Sequence, residues 1–289
     1  LAIEAAKKEI FENGGKVLYT AFNKKIVEEI TLKFSHENFV AATMNSYGNK
    51  YLPPQIKKRK FEKDKFQIVF KQLFGTELKH WETPVLTKQE INFLKSKFKF
   101  LTQEEFEMMF SDQWFSVTAK LGFQGEPELE LFYNWVQENI QFRDFDDQII
   151  FGQPKSEGFT LVIIDEAQDL TLDKIRLIAR IMHVNKNAKI LVIGDENQTI
   201  NTWAGAKKGS MQIVSEMFSC KSLPMMYSYR CPKSVVDIAK QFSPEMECGT
   251  ENEGLVKHIL QENIPEFLGQ ENLVLSRTTA KLVPVFFTL

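Results

Sequence analysis

The residues best equipped for chemistry stand directly behind an apolar run. Leu161-Val162-Ile163-Ile164 leads without a break into Asp165-Glu166-Ala167-Gln168-Asp169. Four consecutive apolar residues predict a buried strand of a parallel sheet. Both acids then fall at its carboxyl end, where open α/β sheets bind their ligands. In nucleotide hydrolases an aspartate at this place holds Mg²⁺, and a neighbouring glutamate polarises the attacking water. A bare acid pair would equally serve to solvate a strand end. A second apolar run, Ile190-Leu191-Val192-Ile193, ends in a loop from Gly194 to Ala206 that carries Gln198 and Trp203. A glutamine at a sheet edge can hydrogen-bond a γ-phosphate or its water. The tryptophan either packs in a core or offers a face for a base, a stacking contact of roughly 1–3 kcal/mol that tolerates any base. Further on, Tyr229-Arg230-Cys231-Pro232 sets an arginine just ahead of a helix. Its planar fork suits a phosphate oxygen, although an arginine at a helix start is as readily solvated.

Positioning these groups requires a sheet. Leu1, Ile3, Ala5, Ala6 and Ile10 fall at helical spacing, and Asn13-Gly14-Gly15 ends that helix before a strand over residues 16–20. A helix over 24–33 and a strand over 39–43 follow, so strand and helix alternate as in a parallel α/β sheet. From about 47 to 157 the pattern turns helical: Phe66, Val69, Phe70 and Leu73 repeat at i, i+3, i+4, i+7, and Ile91, Leu94 and Phe98 recur at helical spacing. Thr102 and Glu105 have capping-box spacing before another helix, and one more is expected over 128–141. The sheet resumes with a strand over 159–164, a helix from Thr171 and a strand over 188–193. After Ser222 the pattern predicts a strand, a helix over 234–242, and strands over 255–260 and 272–275.

The string Asp165-Glu166-Ala167-Gln168-Asp169 resembles the Walker B element, motif II, of UvrD/Rep-like helicases of superfamily 1. The loop around Gln198 resembles motif III, GDxxQxI followed by an aromatic and GA, except that Asn201 replaces the usual tyrosine and Ala204 a frequent arginine. Tyr229-Arg230-Cys231-Pro232 with the helix behind it resembles motif IV. Ala21-Phe22-Asn23-Lys24 resembles motif Ia, and Thr43-Met44-Asn45-Ser46-Tyr47-Gly48 resembles the next motif, with Asn45 where histidine is common. The resemblance implies a P-loop NTPase fold: a RecA-like parallel sheet (residues 1–46 and 158–220), a helical insertion (47–157) and the start of a second RecA-like domain (221–289). It implies an ATP-dependent DNA helicase using ATP and Mg²⁺, acting on single-stranded DNA and single-strand/duplex junctions. Asp165 would hold Mg²⁺ and Glu166 would activate water. Gln198 and Arg230 would read the γ-phosphate, Trp203 would stack a base, and Asn23, Lys24, Thr43 and Asn45 would touch DNA.

The family's phosphate-binding GxxxxGK[ST] loop is absent; Gly14-Gly15-Lys16 lies before a strand, where it can only be a turn. That loop is expected just upstream of Leu1, and the later motifs beyond Leu289, so the 289-residue chain alone is expected to bind ATP poorly and to unwind nothing. Two other readings stay open. One is a non-catalytic nucleic-acid-binding module, and the other is an ATPase that moves along DNA or RNA without separating strands. Composition sets the remaining bounds. A net charge of −2 leaves nucleic-acid contact to local patches, such as Lys57-Lys58-Arg59-Lys60, which either meets phosphates or is a solvated helix face. Three cysteines without clip spacing fit reduced thiols in a cytoplasmic setting, and the four histidines form no metal-ligand pattern. No apolar run reaches the roughly 18 residues of a membrane span.

Overall fold

The computed structural model describes residues 1–63, 142–199, 209–260, 263–267, 273–276 and 282–283. The chain forms two compact units, Leu1–Lys221 and Ser222–Leu289. Trp203 and the expected insertion helices around 66–73, 91–98, 102–105 and 128–141 lie outside the described residues.

In the first unit the apolar runs become a four-stranded parallel sheet: β1 (Val17–Ala21), β2 (Phe39–Thr43), β5 (Leu161–Ile164) and β6 (Lys189–Val192), ordered β2-β1-β5-β6. Register runs Leu18 beside Val40 and Val162, and Ile164 beside Val192. Because side chains alternate across a strand, the same runs feed two cores. Leu18, Val162, Ile164 and the half-buried Val40, Ile190 and Val192 share one face with Met44, Tyr47, Ile175, Ile178, Ile181 and Val214. Val17, Tyr19, Ala21, Leu161 and Ile163 share the other with Ala2, Ala6, Ile10 and Phe34. Helices therefore cover both faces. α1 (Ala2–Phe11) and α2 (Lys24–Lys33) lie on one; α3 (Met44–Lys50) and the longer helices defined below lie on the other.

Short elements stand near the two ends of the expected insertion (47–157): α4 (Pro54–Lys57), β3 (Lys60–Phe61) paired in parallel with β4 (Phe142–Arg143), and α5 (Phe145–Ile150). α5 opens on a capping box in which Asp144 and Asp147 bond each other's backbone N–H. α3 and α5 approach so closely that a Cβ on Gly48 would lie 2.0 Å from the Gln148 carbonyl oxygen, which leaves no other residue type room there. α6 (Leu172–Val184) starts at Thr171, whose side chain accepts from Lys174 N–H, and α7 (Ser210–Met217) follows the loop after β6.

The second unit holds β7 (Tyr227–Ser228), α8 (Lys233–Ala239) and β8 (Glu247–Cys248), with the two strands parallel. Here the sequence expectation needs correction. Residues 255–260 form no strand, because no partner strand lies beside them among the described residues; Leu255 is 73% and Leu260 65% exposed. Residues 273–276 are likewise unpaired, whereas β8, only two residues long, gave no readable pattern. No helix among the described residues is long and apolar enough to cross a membrane.

Candidate active site at the carboxyl edge of the sheet

The strand order fixes where a ligand can sit. β1 leads outward to β2 and β5 leads outward the other way to β6, so the order reverses between β1 and β5. A crevice opens beyond the carboxyl ends of two strands whose connections diverge like this. Asp165 is the first residue past β5 at that point, and its N–H donates to the Thr20 carbonyl of β1 at 2.8 Å. Both acids are half-buried.

The two acids are held in different ways. Asp165 Oδ1 accepts the Glu166 N–H at 3.0 Å, and Oδ2 accepts the hydroxyl of Tyr19 at 2.6 Å. Glu166 itself sits at φ +53, in the left-handed region, which turns the chain sharply off the strand into a 3-10 turn over Ala167–Asp169. Its carboxylate accepts from Gln168 Nε2 at 2.6 Å. Burial, the hydrogen bond to Asp165 and the charges of Asp165 and Glu166 all push the Tyr19 hydroxyl far above its ordinary range, so it stays a donor.

Gln168 joins this turn to the loop after β6. It is buried, and its Oε1 accepts the Asp195 N–H at 3.2 Å. Asp195 in turn accepts from Asn197 N–H at 3.0 Å and from Gln198 Nε2 at 2.8 Å, which orients Gln198 at the exposed end of a second 3-10 turn. A Cβ on Gly194 would meet Gln168 Oε1 at 2.5 Å and Ala167 N at 3.1 Å, so this residue must be glycine for the loop to close on the bridge. Ala167 N–H donates to the Ile193 carbonyl at 3.0 Å, and buried Ser210 of α7 donates to the Ala167 carbonyl at 2.7 Å. Asp165, Glu166 and Gln198 thus belong to one hydrogen-bonded assembly.

The other expected site residues divide by place. Asn23 and Lys24 follow β1 and Thr43 closes β2, so they share the same edge of the sheet. Asn23 caps α2 by accepting from Lys25 N–H at 2.9 Å, and Lys24 pairs with Glu28 at 3.1 Å. Thr43 caps α3 through Ser46 N–H at 3.1 Å, and Asn45 donates to the Phe145 carbonyl at 2.6 Å. Arg230 lies in the second unit, exposed in the bend between β7 and α8. Within the basic cluster Lys57, Lys58 and Lys60 are exposed, while burial lowers the pKa of Arg59 against a smaller opposing pull from Asp147.

Two participants escaped the motif reading: Tyr19, and the bridging role of Gln168. One signal was available for Tyr19. A phenol hydroxyl on a fully buried central strand must find a polar partner, and the apolar run of β5 beside it supplies a side-chain acceptor only past its end, at Asp165.

Residues 5–219 match the family described as the UvrD/REP helicase N-terminal domain. The chain is 22% identical to a protein described as a probable DNA helicase II homolog from Mycoplasma genitalium, over 94% of this chain and 40% of that protein. It is 23% identical to the ATP-dependent DNA helicase Rep of Buchnera aphidicola subsp. Schizaphis graminum, over 75% of this chain and 35% of that one. The chain spans about two fifths of the first relative's length and less of the second's. With a parallel α/β sheet, an acid pair at its order reversal and a family match over most of its length, this chain belongs to the UvrD/REP helicase N-terminal domain family, a family of RecA-like P-loop NTPases.

Proposed function

We propose that the intact protein is an ATP-dependent DNA helicase that couples ATP hydrolysis to movement on single-stranded DNA and to unwinding at single-strand/duplex junctions. The observation that carries this reading is the bonded series Asp165–Glu166–Gln168–Asp195–Gln198 at the order reversal of the sheet. It ties an acid pair suited to hydrolysis to a glutamine suited to sensing phosphate. We assign residues 1–46 and 158–220 to the first RecA-like domain, 47–157 to the insertion and 221–289 to the start of the second, in a cytoplasmic protein.

The donor set fits Mg²⁺. Among the described residues no cluster of three or more His, Cys, Asp or Glu could hold a metal alone. Mg²⁺, however, keeps several waters and is usually held by one or two carboxylates together with substrate phosphates. Asp165 suits that role, since each of its oxygens accepts one hydrogen bond here and a carboxylate oxygen has two lone pairs. When bound, Mg²⁺ would neutralise charge on the β- and γ-phosphates. Glu166, oriented by Gln168, would take a proton from the attacking water. Gln198 would bond the γ-phosphate or that water, and Arg230 would supply a fixed positive charge toward it. Trp203 would stack a base, and Asn23, Lys24, Thr43 and Asn45 would lie along the DNA.

Replacing Glu166 by Gln in the full-length protein removes the base while preserving size. DNA-stimulated ATP hydrolysis is expected to fall by about 10²–10⁴-fold, with single-stranded DNA binding retained. Turnover at the wild-type rate would reject the role of Glu166. Strand-separation assays on DNA and RNA duplexes then distinguish a DNA helicase from a translocase or an RNA-directed enzyme.

A further inference from the structure

Tyr19 stands in the middle of β1, beside Ile163 of β5, and has no exposed surface. Its ring packs in the core under α1 and α2, 6.2 Å from the ring of Phe39. A phenylalanine would fill that space as well, so packing does not explain the hydroxyl. Burying a hydroxyl costs free energy unless it is bonded, and this one donates to Asp165 Oδ2 at 2.6 Å, in the range of charge-assisted O–H···O⁻ bonds. With Glu166 N–H on Oδ1 and the Asp165 N–H on the Thr20 carbonyl, the aspartate is tethered through both carboxylate oxygens and its own backbone.

We propose that Tyr19 is a positioning residue: its buried hydroxyl aims the Asp165 carboxylate at the divalent cation that accompanies the nucleotide. This rests on the assignment of Asp165 to Mg²⁺ above. Because β1 supplies the hydroxyl and β5 the carboxylate, the cation site is built across the strand pair where the sheet order reverses. Loss of a hydrogen-bond partner to a metal-ligating side chain typically weakens metal binding about 10–100-fold.

The test uses the full-length protein with Mn²⁺ as probe and the β,γ-imido analogue of ATP, with bound metal counted by electron paramagnetic resonance. Tyr19→Phe should bind Mn²⁺ about tenfold more weakly and should raise the Mg²⁺ concentration for half-maximal ATP hydrolysis in parallel. At saturating Mg²⁺ its kcat should stay close to that of the wild type. Phe39→Leu serves as the packing control, lowering the unfolding temperature without changing Mn²⁺ affinity. Asp165→Asn should abolish nucleotide-dependent Mn²⁺ binding; if it does not, the Mg²⁺ assignment itself fails. If Asp165→Asn abolishes binding while Tyr19→Phe binds Mn²⁺ as the wild type does, the positioning role is overturned. Equal weakening by Tyr19→Phe and Phe39→Leu overturns it too.

Discussion

Glu166 combines two demands that oppose each other. The proposed base sits at φ +53, a conformation that costs a non-glycine residue roughly 1–2 kcal/mol. The tight exit from β5 requires it, because the chain must turn at once for Ala167 to bond Ile193 and for Gln168 to reach back to the acid. Asparagine tolerates this region far better than glutamine, and both are neutral amides. Glu166→Asn is therefore expected to unfold about 1 kcal/mol higher than Glu166→Gln, with ATP hydrolysis lost in both. Denaturant titration of the pair makes the comparison, and a Gln variant as stable as the Asn variant would show that the turn is unstrained. The acid pair itself was readable from sequence, since apolar residues followed by two carboxylates define a strand end. Its left-handed turn was not, because nothing in a glutamate's type signals a positive φ.

At the scale of elements, the two loops of the candidate site are coupled through one buried amide. Gln168 donates to Glu166 on its own turn and accepts from Asp195 on the next, and Gly194 provides the clearance. Gln168→Leu keeps the bulk but leaves the Asp195 N–H and the Glu166 carboxylate without this partner, a loss of about 1–3 kcal/mol. Gly194→Ala should produce the same defect from the other side by displacing Oε1. Since both changes break one contact, the double variant should lose clearly less stability than the sum of the two single losses. Additive losses in urea unfolding would mean the bridge is not what the glycine protects. This coupling explains the uneven legibility of the chain. Strands and helices with strong periodicity, such as α2 over Lys24–Lys33 and β2 over Phe39–Thr43, were read to the residue. The tie between Gln168 and Asp195 spans residues that are adjacent only because β6 pairs with β5. Sequence spacing holds no trace of it. The strand expected over 255–260 failed for the converse reason: local apolar pattern cannot supply a neighbouring strand.

Across the first unit, the two edges of the sheet carry different loads. The carboxyl edge gathers Asp165, Glu166 and Gln198; at the amino edge Glu157 acts as a staple. Glu157 precedes β5 and accepts from Lys50 Nζ at 2.9 Å, from the Tyr47 hydroxyl at 3.3 Å and from the Tyr51 hydroxyl, while Lys16, just before β1, lies 3.9 Å away. It thereby fastens α3 to the entry of β1 and β5, and so fixes the strand pair on which the acid site depends. Burial alone would raise the Glu157 pKa. The hydrogen bonds from Tyr51 and Lys50 and the charges of Lys50 and Lys16 outweigh it, leaving the group below its ordinary 4.5. A carboxyl depressed in the folded state contributes stability that is fully present above 4.5 and is lost as pH falls through the lower, folded value. Glu157→Gln should therefore cost about 1–3 kcal/mol at pH 7, and the gap between variant and wild type should close as pH drops below 4.5. Urea midpoints measured for both proteins from neutral to acidic pH give the answer. A gap that is constant with pH would mean that Glu157 contributes shape rather than charge, and a gap that widens in acid would reverse the assigned sign.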